Sequence, residues 1–201
     1  MLSFSSFLLE EAQKKTLTVF DIDDTLFTSS SKVRVMKDGK LVRELSPLEY
    51  NDDKLQPDEE YDYSEFRSAE KFSKTAQPID KMLDKARNII SLSKSNESRV
   101  ILVTARADFD DKKKIIDIFK RHGIDIKNDV YLERAGNLNL GAAAKNKKYI
   151  IHKHLRRGGY NKVNFFDDSM KNITMFKSLN KEYPEAEFKA YLVTDGKVKK
   201  V

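Results

Sequence analysis

The chain has 201 residues, of which 39% are hydrophobic and 35% are charged, a balance typical of a polar globular domain. It contains no cysteine and 3 histidines, which excludes disulfides and thiolate chemistry and argues against a structural zinc site. The net charge of +6 permits an anionic partner, but lysines spread along the whole chain favour a merely solvated surface.

The N-terminal segment is expected to begin with a short amphipathic helix. Phe4, Phe7, Leu8 and Ala12 recur there at helical spacing. Residues 1–11 carry neither the basic start nor the long apolar stretch of a signal peptide or membrane span. We therefore expect a cytoplasmic protein without a membrane partner.

The first strand is predicted at residues 17–21, an apolar and β-branched run typical of a buried strand. A β-hairpin is predicted at residues 33–43, where two alternating segments flank the turn pair Asp38-Gly39. The polar stretch 46–74 is expected to form loops and a short helix.

Strands and helices then alternate. Strands are predicted at 99–103, 129–132, 162–166 and 188–193, and helices at 79–90, 110–122, 142–157 and 170–180. Asp195-Gly196 predicts a final hairpin turn. This order predicts a three-layer, Rossmann-like α/β fold around a mainly parallel sheet.

Residues 27–77 interrupt this alternation directly after the first strand. We expect them to form a small cap with a β-hairpin that selects substrate and excludes water, on a core of residues 1–26 and 78–201. The alternative is a hairpin without a role in the site. The position of the segment at the ligand-binding edge of the sheet favours the cap.

Polar residues cluster where the predicted strands end. They are Asp21, Asp23 and Thr25 after the first strand, Thr104 and Arg106 after the second, and Asp167 and Asp168 after the fourth. The carboxyl ends of parallel strands form the ligand-binding edge of such a sheet. Asp21 and Asp23 can face one pocket there, and like charges that close need a proton or a divalent cation. Carboxylate ligands favour Mg²⁺.

These motifs resemble, in order and spacing, those of the haloacid dehalogenase-like phosphohydrolase superfamily, over residues 17–193. The match consists of Asp21-Ile22-Asp23-Asp24-Thr25, Thr104, a lysine ahead of the last motif strand, and Asp167-Asp168. Residues 103–106, 147–155 and the acidic pair are similar to the 3'-phosphatase domain of phage-type polynucleotide kinase-phosphatases. The kinase half has no counterpart, because the chain lacks a Gly-x-x-x-x-Gly-Lys-Ser/Thr loop.

The resemblance implies a role for each matched residue. Asp21 would be the nucleophile that forms an aspartyl-phosphate, and Asp23 the general acid and later the base. Thr104 would bind a phosphoryl oxygen. The metal would contact Asp21, the backbone carbonyl of Asp23, and Asp168, with Asp167 beside it. An enzyme that expels halide needs no proton donor, so the presence of Asp23 favours phosphate chemistry.

The remaining candidates are less sharply defined by the motifs. Lys147 fits the lysine position best, Lys145 is the next candidate and Lys148 the third. The resemblance implies that Arg106 grips the substrate phosphate, whereas the alternative is a salt bridge to Asp108 or another nearby acid. Thr25 and Lys145 complete the predicted substrate-binding set.

Two further positions bear on the loop and the acidic pair. Asp24 replaces the glycine common at its position in the superfamily, so this loop must leave the strand without glycine's conformational freedom. Asn172 either orients the acidic pair or lies on a helix surface.

We therefore expect a Mg²⁺-dependent phosphomonoester hydrolase that acts on a nucleotide or on a nucleic-acid terminal phosphate. The alternatives are a phosphatase of small metabolites and a catalytically inactive nucleic-acid-binding module. The sequence indicates no obligate protein partner.

Overall fold

The computed structural model describes residues 14–95, 97–138 and 140–201. The helix predicted near residues 4–12 lies outside them. The strands are β1 (Thr16–Phe20), β2 (Phe27–Thr28), β3 (Val33–Lys37), β4 (Lys40–Leu45), β5 (Glu59–Asp62), β6 (Gln77–Pro78), β7 (Arg99–Thr104), β8 (Tyr131–Arg134), β9 (Lys162–Asp167), β10 (Glu187–Thr194) and β11 (Lys197–Lys200). The helices are α1 (Pro47–Asp52), α2 (Ser64–Arg67), α3 (Ala69–Thr75), α4 (Asp80–Ser93), α5 (Lys112–Arg121), α6 (Ala143–Gly158) and α7 (Met170–Ser178).

Within the described residues, the main sheet has 6 strands in the order β11-β10-β9-β1-β7-β8. All neighbouring pairs are parallel except β10 and β11, which form an antiparallel hairpin at one edge. The predicted α/β fold with a mainly parallel sheet is therefore confirmed, as is the final hairpin at Asp195-Gly196.

Helices cover both faces of this sheet. Leu17 and Val19 pack in one core with residues of α6 and α7, whereas Phe20 and Leu102 pack in a second core with residues of α4 and α5. The alternation follows from the period of two in a β-strand. Because both faces are covered, β1 is buried along its whole length.

One strand of the main sheet begins two residues later than predicted. The third strand of the alternating series was expected at 129–132, but β8 begins at Tyr131. The backbone N–H groups of Asp129 and Val130 donate to the Asp125 carbonyl, and the Asp125 carboxylate accepts from the N–H of Lys127. These hydrogen bonds hold residues 125–130 in a turn, which delays the strand by two residues.

The segment 27–77 carries its own small sheet, in the order β4-β3-β5. The predicted hairpin at 33–43 is confirmed as β3 and β4, and Asp38 and Gly39 adopt φ values of 50° and 72° as a tight hairpin turn requires. The third strand, β5, lies in a stretch that we expected to be loop and helix. It pairs antiparallel with β3, and an ion pair of 2.8 Å joins Glu59 of β5 to Arg43 of β4.

The segment leaves and rejoins the core at one place. β2 and β6 pair antiparallel, with Phe27 opposite Pro78 and Thr28 opposite Gln77. The two connections therefore run side by side next to the end of β1. Among the described residues, no helix is both long and apolar enough to cross a membrane.

Candidate active site

Three neighbouring strands carry the predicted site to one edge of the sheet. β9, β1 and β7 lie side by side and parallel, so their carboxyl ends meet there. Asp21 follows β1, Thr104 ends β7 and Asp167 ends β9. The backbone N–H of Asp21 donates to the Phe166 carbonyl at 2.9 Å, which continues the β1–β9 ladder up to the site.

Lys147 joins the first and last acidic motifs. Its Nζ lies 2.6 Å from Asp21 Oδ1 and 2.8 Å from Asp167 Oδ2. The side chain comes from the first turns of α6 and is buried, with 1% of the residue exposed. A charged amine is retained at such a depth only when carboxylates surround it.

The other two candidate lysines lie elsewhere. Lys145 is exposed on α6, and Lys148 forms an ion pair of 2.6 Å with Glu182 at the surface. Of the three, Lys147 is the one that the fold brings to the carboxylates. The predicted role of Lys145 in substrate binding has no contact in the structure to support it.

Burial and like charge raise the proton affinity of the acidic cluster. Burial raises the pKa of Asp21 well above its ordinary value, and neighbouring Asp167, Asp168 and Asp23 raise it further against the opposing effect of Lys147. Burial would by itself lower the pKa of Lys147, but Asp167 and Asp21 outweigh it and the pKa is raised. The cluster thus holds more negative charge than the ammonium balances.

The cluster offers a set of oxygens for a hard cation. One carboxylate oxygen each from Asp21, Asp167 and Asp168 lies within 4.8 Å of the others. Asp167 is held in place by Asn172, whose Nδ2 donates to both of its oxygens at 2.9 and 3.1 Å, and by the N–H of Ser169 at 2.9 Å. The all-oxygen donor set and the excess of negative charge fit Mg²⁺. Asn172 is therefore an orienting residue, one of the two possibilities raised from the sequence.

Asp168, one of the carboxylates that could hold a metal, predicts a pH dependence of stability. Burial and the neighbouring Asp167 raise the pKa of Asp168 to about 7. Between about pH 4 and 7 Asp168 therefore binds more proton in the metal-free folded chain than in the unfolded chain, so its contribution to stability falls as the pH rises. A bound Mg²⁺ counteracts that loss because it favours the ionised carboxylates.

We therefore expect Mg²⁺ at ten times its Kd to add about 1.4 kcal/mol to the free energy of unfolding near pH 8. This corresponds to about 3–6 °C in Tm. Near pH 5 the gain should be clearly smaller, since protons compete for the same oxygens. Thermal unfolding with and without Mg²⁺ measures both values, and Asp168→Asn should abolish the gain. An equal gain at both pH values would argue against carboxylate ligation.

Asp23 lies to the side of this cluster and faces a different cation. Arg106 Nε lies 3.0 and 2.9 Å from the two oxygens of Asp23, and its Nη2 lies 2.6 Å from Oδ1. Thr104 Oγ1 accepts from the Arg106 backbone N–H at 3.0 Å and donates to Asp23 Oδ2 at 3.4 Å. Thr104 thus contacts the predicted acid from the end of β7.

The alternative raised from the sequence for Arg106 was a salt bridge to a nearby acid. The structure contains such a bridge, and its acid is Asp23. Asp108 instead pairs with Arg134 at 2.7 Å and with Lys112 at 3.6 Å. That Arg106 also binds the substrate phosphate stays a prediction.

The loop that carries Asp23 turns sharply. Asp24 adopts a left-handed φ of 54°, and its N–H donates to the Phe27 carbonyl at 2.7 Å. Thr25 follows in a fully buried position, and among the described residues its Oγ1 has no hydrogen-bond partner. Its predicted role in substrate binding remains untested.

Gly136 is a site-supporting residue that the sequence did not single out. Its N–H donates to the Arg106 carbonyl at 3.2 Å, and the loop after β7 packs directly on its Cα. A Cβ at residue 136 would overlap the Ala105 carbonyl oxygen and the Ala107 nitrogen. The signal available in the sequence was a glycine two residues after the end of a strand of the sheet.

Gly136→Ala should therefore destabilise the protein by about 3 kcal/mol and displace Arg106. Gly159→Ala is the control, since Gly159 has a φ of 59° but open space around its Cα. That change should cost about 1 kcal/mol, for the left-handed backbone alone. Denaturant unfolding compares the two. A Gly136→Ala variant as stable as Gly159→Ala would show that the loop yields easily.

The geometry unites a buried carboxylate, a buried ammonium, metal-capable carboxylates and a separate Asp–Arg pair on one sheet edge. Such a set can neutralise an incoming anionic group and transfer a proton beside it. No protein-family model matches the chain, and no curated protein matches it.

Proposed function

We propose that the protein is a Mg²⁺-dependent phosphomonoester hydrolase that acts through an aspartyl-phosphate on Asp21. The observation that carries the proposal is the position of Lys147 Nζ between Asp21 and Asp167, at 2.6 and 2.8 Å. An oxygen of Asp168 lies within 4.8 Å of oxygens of both carboxylates, so that the three could hold one metal ion. This arrangement balances charge around one buried carboxylate, which is what attack on an anionic phosphoryl group requires.

The proposed reaction consists of two displacements at phosphorus. In the first, an oxygen of Asp21 forms a bond to phosphorus while the bond to the leaving alkoxide breaks, and Asp23 gives that alkoxide its proton. In the second, water attacks the phosphorus, Asp23 takes the proton from the water, and inorganic phosphate leaves with Asp21 restored. Lys147 stabilises the carboxylate before attack and the phosphoryl oxygens after it.

Mg²⁺ would be held by Asp21 and Asp168, with Asp167 beside them. When bound, it would reduce the electrostatic repulsion between the anionic carboxylate and the anionic phosphoryl group. Asp167 is the less available ligand, because Lys147, Asn172 and the Ser169 N–H already occupy its oxygens.

The proposed substrate is a nucleotide or a nucleic-acid end that bears a terminal phosphate. The net charge of +6 permits an anionic polymer as the substrate. The predicted acid is reachable from solvent, because 19% of the Asp23 side chain is exposed, and an accessible acid suits the end of a chain. The sequence resemblance to polynucleotide 3'-phosphatases points the same way.

Phosphate release in Mg²⁺ tests the proposal. The panel holds 3'- and 5'-phosphorylated oligonucleotides, mononucleotides and sugar phosphates, with EDTA as the metal control. We expect EDTA-sensitive release, fastest from the oligonucleotides or nucleotides. Fastest release from sugar phosphates would favour a small-metabolite phosphatase. Salt-sensitive oligonucleotide binding without release from any substrate would overturn the proposal in favour of a binding module.

A further inference from the structure

Arg106 is a buried cation whose donors are all directed at the protein itself. The residue is 2% exposed. Its Nε and Nη2 contact Asp23, its Nη1 donates to the Phe66 carbonyl at 3.0 Å, and its Nη2 also donates to Ser29 Oγ at 2.9 Å. Phe66 and Ser29 belong to the segment 27–77, whereas Asp23 belongs to the core.

Aromatic rings enclose the same guanidinium. Its central carbon lies 4.7 Å from the ring centre of Phe66, 4.9 Å from that of Phe72 and 5.6 Å from that of Phe109. Cation–π attraction is strongest where water is excluded, as it is here. Phe66 and Phe72 again come from the segment 27–77, so this segment supplies most of the enclosure.

A substrate phosphate could reach this guanidinium only by displacing Asp23 or the segment 27–77. We propose that Arg106 is a positioning residue, which couples the seating of residues 27–77 to the orientation of the Asp23 carboxyl. In this inference the phosphate is contacted instead by Lys147 and by the metal ion that Asp21 and Asp168 would hold. It rests on the proposed function of Asp23 as the acid and base.

The contacts also hold the two oxygens of Asp23 unequally. Oδ1 accepts from both Nε and Nη2 of Arg106, at 3.0 and 2.6 Å. Oδ2 accepts from Nε at 2.9 Å and faces Thr104 Oγ1 at the longer distance of 3.4 Å. Oδ2 is the less tightly held oxygen and, within this inference, transfers the proton to the leaving group, while Arg106 fixes the plane of the carboxyl through Oδ1.

Arg106→Lys separates positioning from phosphate binding, since it keeps the charge but loses the planar fork. An alkyl phosphate needs its leaving oxygen protonated, whereas p-nitrophenyl phosphate has a leaving group that is stable as an anion. We expect kcat/KM, which reports the first displacement alone, to fall about 100-fold on the alkyl phosphate and only a few-fold on p-nitrophenyl phosphate. Asp23→Asn should show the same selectivity. Equal losses on both substrates with a raised KM would overturn the inference and make Arg106 a phosphate ligand.

A second measurement tests the coupling without any activity. Amide hydrogen exchange in α2 and β2 should be about tenfold faster in Arg106→Lys, and faster to a smaller extent in Ser29→Ala. Ser30→Ala is the matched control, because the neighbouring Ser30 is exposed and its hydroxyl does not contact Arg106. Unchanged exchange in Arg106→Lys would overturn the coupling. If the wild-type protein released no phosphate, the proposed function would fail, and the exchange data would still decide whether Arg106 holds the segment.

Discussion

An Asp21→Asn variant is expected to release phosphate at least about 10⁴-fold more slowly than the wild-type protein in Mg²⁺. The amide nitrogen and oxygen of asparagine cannot replace the carboxylate as a nucleophile, and losses of this size are typical when a covalent nucleophile is removed. The loss should lie in kcat, because Lys147, Asp167 and Asp168 still surround the position.

The variant should nevertheless fold. Burial and three neighbouring carboxylates raise the pKa of Asp21, so removing its charge relieves repulsion while Lys147 keeps Asp167 as a partner. Thermal unfolding recorded with the kinetics separates chemistry from stability. Asp38→Asn is the control, because asparagine tolerates its positive φ and Asp38 lies in the β3–β4 turn, outside the acidic cluster. A residual tenth of the activity in Asp21→Asn would rule out a nucleophilic Asp21.

Replacing Lys147 by methionine should have the largest effect on stability. Methionine fills similar space but leaves the Asp21 and Asp167 carboxylates buried without the ammonium at 2.6 and 2.8 Å. Breaking a buried ion pair in this way costs about 3–5 kcal/mol. The native carboxylates then hold protons more tightly than the unfolded ones, so the deficit should grow as the pH rises from about 5 to 8 and shrink when Mg²⁺ binds. Denaturant unfolding at both pH values measures it.

Two neighbouring lysines serve as matched controls for this change. Lys145 is exposed, and Lys148 makes a surface ion pair with Glu182, of a kind worth about 0–1 kcal/mol. Lys145→Met and Lys148→Met should therefore remain within about 1 kcal/mol of the stability of the wild type. A larger loss of stability in either control than in Lys147→Met would contradict the assignment of Lys147 to the site.

Much of the fold follows from local patterns. Buried strands alternate with periodic helices, and this pattern alone predicted the parallel sheet and the hairpins at Asp38-Gly39 and Asp195-Gly196. Strand β5 escaped prediction because its residues, Glu59–Asp62, are polar and gain their strand conformation from pairing with β3. The start of β8 was misplaced because the Asp125 carboxylate holds a turn that propensity does not reveal.

The acidic part of the site could be predicted because parallel strands bring their carboxyl ends together. The sequence also held a signal that favours Lys147 over the other two lysines. Lys147 lies three, four and seven residues before the buried Ile150, Ile151 and His154, which is the spacing of one buried helix face. The setting of Arg106 could not be predicted, because Phe66 is separated from it by 40 residues and Ser29 by 77. Contacts across such distances depend on how the segment 27–77 folds back, and no local pattern encodes them.

The most direct test of the central claim is to locate the phosphoryl group on the protein. The wild-type protein and Asp23→Asn are mixed with Mg²⁺ and p-nitrophenyl phosphate, quenched in acid, and the peptides are analysed by mass spectrometry. We expect one added phosphoryl group on the peptide that contains Asp21, at higher occupancy in Asp23→Asn, since that variant lacks the base for hydrolysis. Phosphate turnover with the label on another residue, or with no label in either protein, would contradict an aspartyl-phosphate at Asp21.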